Sequence, residues 1–217
     1  MSYLAPAEAA ALDALVARIE TRTGVQIATA VVRRSDAYTE LPWKAFALGA
    51  SLARFALVIA DAWHPQWVVS DTALLHTAVI LLTAAAAALV AMFVPGFARL
   101  LLRRHRAEIE VRRYAESLFF RRRLFRTRQG DALLILISLF ERRIEILADE
   151  GLDARVAAAA WDGVIAQMTS HLRGQRPFDA LKEALGAVEA LLLQRGFHER
   201  PDAADELPNR TIEETGI

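Results

Sequence analysis

TALLHTAVILLTAAAAALVAMFV, residues 72–94, decides how the chain is organised. No charged residue occurs between Thr72 and Ala98, and the run exceeds the roughly 20 residues that cross the hydrocarbon layer of a bilayer. Buried helices of soluble proteins seldom run so long without a charge, so the segment reads as a membrane span. Upstream, WKAFALGASLARFALVIADAW (residues 43–63) is apolar but interrupted by Lys44, Arg54 and Asp61. Trp43 and Trp63 frame it, about 30 Å apart at the helical rise, which is the separation of the two aromatic interfacial belts. Arg54 falls near the middle, where a cation costs about 2.5–3.5 kcal/mol to insert. Asp61 and His76 fall on the same side of the hairpin, so an Arg54–Asp61 or Arg54–His76 contact is one expectation. Snorkelling, or a homo-oligomer partner facing Arg54, is the other.

The flanking charges orient this hairpin. Arg33, Arg34 and Lys44 precede or open it and Arg99, Arg103, Arg104 and Arg106 follow it, whereas the connector at residues 61–71 holds no Lys or Arg. Under the positive-inside rule the connector is outside and both termini are cytoplasmic. Residues 1–30 carry acids and lack the cationic start and apolar stretch of a secretory signal. From Arg99 to Arg128, eleven arginines face Glu108, Glu110 and Glu116, a local charge of +8. Such a collar beside a membrane attracts anionic headgroups at about 1 kcal/mol per cation. No nucleic-acid-binding module surrounds it, so nucleic acid is not expected as a partner.

The rest of the 217 residues resembles a soluble domain: the chain is 54% apolar and 24% charged, with 26 basic and 26 acidic residues, and its mean hydropathy is +0.24. It contains no cysteine, which excludes disulfides, thiol nucleophiles and cysteine-based zinc sites. Pro6 with Glu8, the stripe Leu12–Leu15–Val16–Ile19 and Gly24 predict a helix with its start and stop signals. VQIATAVV then predicts a strand. After the hairpin, the arginine-rich stretch carries helical spacing, continuing from the second span. ALLILISLFERRIEILADEG (132–151) predicts two strands joined at Phe140–Arg142, and helices ending on Gly174 and Gly196 follow. HERPDAADELPNRTIEETGI, rich in acids and without an apolar period, is expected to be disordered. The expected organisation is residues 1–42 as the first part of the domain, 43–98 as the hairpin, 99–197 as the basic helix and the remainder of the domain, and 198–217 as the tail. One strand before the hairpin cannot form a sheet alone, so both flanking parts must meet on one side of the membrane, which requires an even number of crossings.

These residues resemble the TPM domain family, which groups the thylakoid-lumen acid phosphatase and photosystem II repair proteins with bacterial membrane-anchored relatives. The resemblance runs through Ala7, Glu8, Leu12, Ile19, Glu20 and Thr23–Ile27. It resumes at Tyr114, Ala115, Glu116 and Phe119, then at Leu133–Ile137, Arg142–Ile146, Gly151, Leu152, Trp161 and Ile165. It is similar in particular to members whose domain is split by a membrane insertion near Leu41–Lys44. The resemblance implies an α/β sandwich with a small central sheet flanked by helices, interrupted here by a two-helix transmembrane hairpin. Phosphatase activity, divalent-cation binding with a cation such as calcium, and accessory roles for membrane complexes are what it implies for function. The sequence differs from the family pattern where MSYLAPAE replaces an Asp-bearing lead, and where Gly130–Asp131–Ala132 stands for Asn-Gly-Val.

For chemistry, Asp131 and Asp149 at strand ends, with Glu150 and Asp153 nearby, are the candidate oxygen ligands of a divalent cation. Their structural alternative is that Asp131 caps a turn and Asp149 or Asp153 caps a helix. No phosphate loop, dinucleotide fingerprint or nucleophile elbow occurs. Ser51 lies in a predicted span, and His64, His76, His105, His171 and His198 show no ligand spacing. No catalytic residue and no cofactor-binding residue is assigned. Two readings stand: a membrane-anchored binding or assembly factor in a bacterial inner membrane, partnered by another membrane protein or by its own copies, and a divalent-cation-dependent phosphatase of acid phosphatase type.

Overall fold

The computed structural model describes residues 3–64, 72–127, 129–173, 176–198 and 209–216. The chain divides into two compact units, residues 1–36 with 107–217, and residues 37–106.

The first unit is built on a four-stranded sheet of order β3-β2-β1-β4. Helix α1 (Pro6–Thr23) starts on Pro6 and ends on Gly24 in the left-handed conformation, φ 69°, where glycine costs nothing sterically. The Gly24 amide closes the turn on the Glu20 carbonyl at 2.7 Å. The buried Glu20 carboxylate accepts from the Ile27 amide at 2.7 Å, which ties the helix to the first residues of β1 (Gln26–Arg34). β1 pairs in parallel with β2 (Ala132–Ser138), register Gln26↔Ala132, and β2 turns back antiparallel into β3 (Arg143–Ala148). Arg142 takes a left-handed φ of 52° in that turn.

Every residue of β2 is buried, as expected of a central strand covered on both faces. Alternate residues serve two cores. Ile27 and Val31 of β1, with Leu133, Ile135 and Ile137 of β2, pack with Leu12, Val16 and Ile19 of α1. Leu181, Leu185, Val188 and Leu192 of α8 (Pro177–Gln194) and Trp161 of α7 (Ala158–Arg173) complete that side. On the other face Ala28, Ala30, Val32, Leu134 and Leu136 meet Val111, Tyr114, Ala115, Leu118 and Phe119 of α5 (Arg104–Arg121). At about 1.5–3 kcal/mol per fully buried aliphatic side chain, the Leu133–Ile137 run of β2 stabilises both cores. The expected small sheet flanked by helices is the observed fold.

Three expectations are corrected. The tail is ordered in part: β4 (Ile212–Gly216) adds to β1 in parallel, Ala30↔Ile212 to Arg34↔Gly216. Short β-branched runs become strands when an open edge offers partners, so composition alone misjudged Thr211–Thr215. Residues 199–208 of that tail lie outside the described residues. The basic helix does not continue the second span, because Val94 before Pro95 adopts φ −110°, ψ 95°, the extended conformation that proline imposes on its predecessor. A short helix α4 (Pro95–Leu101) and an extended Leu102 intervene before α5.

The third correction concerns the second unit, a pair of helices, α2 (Glu40–Trp63) and α3 (Thr72–Phe93). Both are long and apolar enough to cross a membrane. They meet through small residues: Ala45, Gly49 and Ala53 are buried on α2, Ala84 and Ala91 on α3. The expected contact of Arg54 with Asp61 or His76 does not form. His76 Nε2 instead lies 3.5 Å from Asp61 Oδ1, and Arg54 is exposed. Its neighbour Ala53 takes the inward position, which turns Arg54 toward the flank. The connector residues 65–71 lie outside the described residues.

Candidate functional site

Asp131 and Asp149 sit at the same end of the β2–β3 pair. The Asp149 amide donates to the Ala132 carbonyl at 2.9 Å, and the Asp131 amide donates to Thr127 Oγ1 at 3.1 Å. Asp131 is buried, 8% exposed. Asp149 caps the one-turn helix α6 (Glu150–Asp153), its Oδ1 accepting from the Glu150 amide at 2.9 Å, while its Oδ2 is shielded and has no hydrogen-bond partner among the described residues. Gly151 lies against the neighbouring loop, its amide donating to the Gly130 carbonyl at 2.9 Å. Among the described residues, no group of three or more His, Asp or Glu side chains is placed to hold a metal ion. Both lie at the end of the sheet where the parallel strands begin, Asp131 just before β2 and Asp149 just after the antiparallel β3, whereas ligands of open α/β sheets bind beyond the carboxyl ends.

A cleft of about 590 Å³ lies at that carboxyl end, lined among others by Ser35 and Asp36 after β1, Arg113, Tyr114 and Arg121 of α5, and Glu214 of β4. Tyr114 Oη donates to Glu214 Oε2 at 2.6 Å. Arg121 Nη2 reaches the same oxygen at 3.1 Å and Arg122 Nη2 reaches Oε1 at 3.0 Å. Burial raises the Tyr114 phenol to about 12, reinforced by its bond to Glu214. Burial works against the Glu214 carboxylate, but the hydrogen bonds from Tyr114 and Arg122 and the Arg121 charge outweigh it and hold its pKa below the ordinary value. Sequence reading missed this cluster because its carboxylate comes from the tail.

The arginine collar is likewise more balanced than its local sequence suggests. Arg112 pairs with Glu116 at 3.1 Å and approaches Glu145 of β3 at 3.9 Å, and Arg143 of β3 approaches Glu108 at 3.7 Å. With Glu214, two acids distant in sequence therefore join the count against one further base, Arg143.

The fold and these sites define a mixed α/β sandwich that carries a two-helix apolar insertion. Residues 87–191 match the model of the TPM domain, the family whose pattern the sequence resembles. The match begins inside α3 and leaves out α1 and β1, which precede the insertion but complete the sheet. BA42 protein from the psychrophilic bacterium Bizionia argentinensis, solved by NMR, is similar in fold. It superposes with a TM-score of 0.59 at 13% identity, covering 98% of this chain and 96% of BA42. A comparison with curated proteins gives no match.

Proposed function

We propose that this chain is a two-span protein of a bacterial inner membrane, its TPM domain cytoplasmic, serving as a binding or assembly factor for another membrane protein. The observation that carries this reading is the outer surface of the hairpin. Leu48, Leu52, Phe55 and Ile59 on α2, and Leu74, Leu75, Leu82 and Leu89 on α3, are all exposed, apolar surface that a bilayer or another helix would cover. The parallel pairing of β1 with β2 supports an even number of crossings, since those strands flank the hairpin in sequence. The cation-free connector between basic flanks supports the orientation.

Purification of the full chain in mild detergent tests the role. The reading expects a membrane protein co-purifying in fixed stoichiometry, lost when the exposed Ala47, Ser51 and Arg54 of α2 are replaced by leucine. Isolation only as a monomer contradicts it.

The second reading, a divalent-cation-dependent phosphatase, is favoured by one observation, the shielded Oδ2 of Asp149, without a partner among the described residues, beside the Gly130–Asp131 turn. It expects saturable calcium binding by calorimetry that is lost in Asp149→Ala and Asp131→Ala, with phosphate-ester hydrolysis lost in parallel. Heat no greater than dilution contradicts it.

A further inference from the structure

Helix α2 presents two different outward faces. At about 100° per residue, Leu48, Leu52, Phe55 and Ile59 form one ridge, all bulky and exposed. Ala47, Ser51, Arg54 and Val58 form the adjacent one, also exposed, in which every side chain except Arg54 is small or short. The Ser51 hydroxyl donates to its own Ala47 carbonyl at 2.8 Å, as hydroxyls do within apolar helices. Small residues on a span allow a second helix to approach closely, so this face suits a protein neighbour and the leucine ridge suits lipid.

Arg54 makes no ion pair with any described residue. The nearest acid on its own helix face, Asp61, stands roughly 10 Å further along the axis and is engaged by His76 at 3.5 Å. Arg54 is eleven residues from Trp43 and nine from Trp63, roughly 16 and 14 Å from the two interfaces, further than one side chain extends. A guanidinium at that depth has to be compensated from outside the chain.

On the reading of the hairpin as membrane-spanning, we propose that the Ala47–Ser51–Arg54–Val58 face of α2 docks a transmembrane helix of a different protein, one that carries an Asp or Glu near mid-membrane. A second copy of this chain does not meet the requirement. Copies inserted in the same orientation hold Arg54 at one depth, so a symmetric contact sets like charges together, and Asp61 of either copy lies too near the interface. The partner's carboxylate accepts the guanidinium's fork of donors, and the small flanking residues bring the two backbones close enough for that bond.

The test uses the full chain in lipid vesicles with synthetic transmembrane helices of about 20 leucine and alanine residues that carry Glu, Gln, Lys or Leu at the centre, or Glu near one end. Association is read by energy transfer. The central-Glu helix is expected to bind at least about tenfold more tightly than the Leu helix, the order of one interhelical polar bond. Arg54→Leu is expected to abolish that preference, Arg54→Lys to retain part of it, and Arg54→Glu to transfer it to a central-Lys helix. Equal binding of all helices, or a preference unchanged in Arg54→Leu, overturns the proposal, as does energy transfer between two copies of the chain that Arg54→Leu removes. Alkaline carbonate extraction of the same vesicles separates the two levels. A wild-type chain that resists extraction but shows no preference overturns the docking face alone, whereas a wild-type chain that is extracted overturns the spanning hairpin and the docking face together.

Discussion

The phenol of Tyr114 on α5 donates to the carboxylate of Glu214 on β4 at 2.6 Å, joining the last strand of the sheet to the helix that covers it. Arg121 and Arg122 complete the grip on that carboxylate. Tyr114→Phe removes one charge-assisted bond and is expected to cost about 1 kcal/mol, discounted because the arginines are half-exposed. Glu214→Gln is expected to cost somewhat more. Chemical denaturation of the full chain in detergent checks both.

The same cluster fixes a pH dependence with two limbs. Glu214 has its pKa lowered in the folded chain, so its contribution is present above the ordinary carboxylate range and is lost as pH falls through the lowered value. Tyr114 is raised to about 12, so its contribution is present below pH 10 and is lost as pH rises toward 12. Melting temperatures measured across pH are expected to show the acid limb weakened in Glu214→Gln and the alkaline limb weakened in Tyr114→Phe. Identical profiles for wild type and variants would remove the cluster from the account.

Gly49 allows the close approach of the two hairpin helices. A Cβ there would stand 2.9 Å from Ala87 Cβ and 3.1 Å from the Ala84 Cα, and no flexible side chain is available to move aside. Gly49→Ala is expected to destabilise the hairpin by about 1–3 kcal/mol, and Gly49→Val by more. Thermal unfolding in detergent reads this as a loss of several degrees, at about 2–4 °C per kcal/mol for a chain of this size.

Gly151, in the sheet-bearing unit, is constrained by backbone of that same unit. Its Cβ would meet the Gln129 carbonyl oxygen at 2.4 Å and the Gly130 carbonyl oxygen at 2.6 Å, so the loop before β2 would have to shift. Gly151→Ala is expected to cost about 3 kcal/mol, against about 1 kcal/mol for Asp149→Ala, which loses only the cap of a one-turn helix. Denaturant midpoints of the two variants rank them, and equal midpoints would contradict the packing described.

Periodicity made much of this fold legible. Pro6 and Gly24 bracket α1, and the apolar run of β2 followed by the alternation of β3 predicts the hairpin that forms. Glu214 was not legible, because a strand of five residues draws its stability from the edge it joins rather than from its own pattern. The break at Val94–Pro95 was readable from the proline alone, yet helical spacing on either side masked it. For the candidate sites, sequence placed Asp131 and Asp149 at strand ends but gave no distance between them, and it could not say that Asp61 takes His76 and leaves Arg54 aside. The last outcome depends on which helix face the packing of Gly49 against Ala87 turns inward.

The central claim, a hairpin that spans the membrane with both flanks on one side, is tested most directly by labelling single cysteines with a membrane-impermeant maleimide. The chain has no native cysteine, so His64→Cys at the end of α2 and Lys182→Cys on the exposed face of α8 each report one site. Labelling of His64→Cys in intact spheroplasts, with Lys182→Cys reached only after permeabilisation, is the predicted result. Equal labelling of the two sites in intact spheroplasts, or the reverse order, would contradict it.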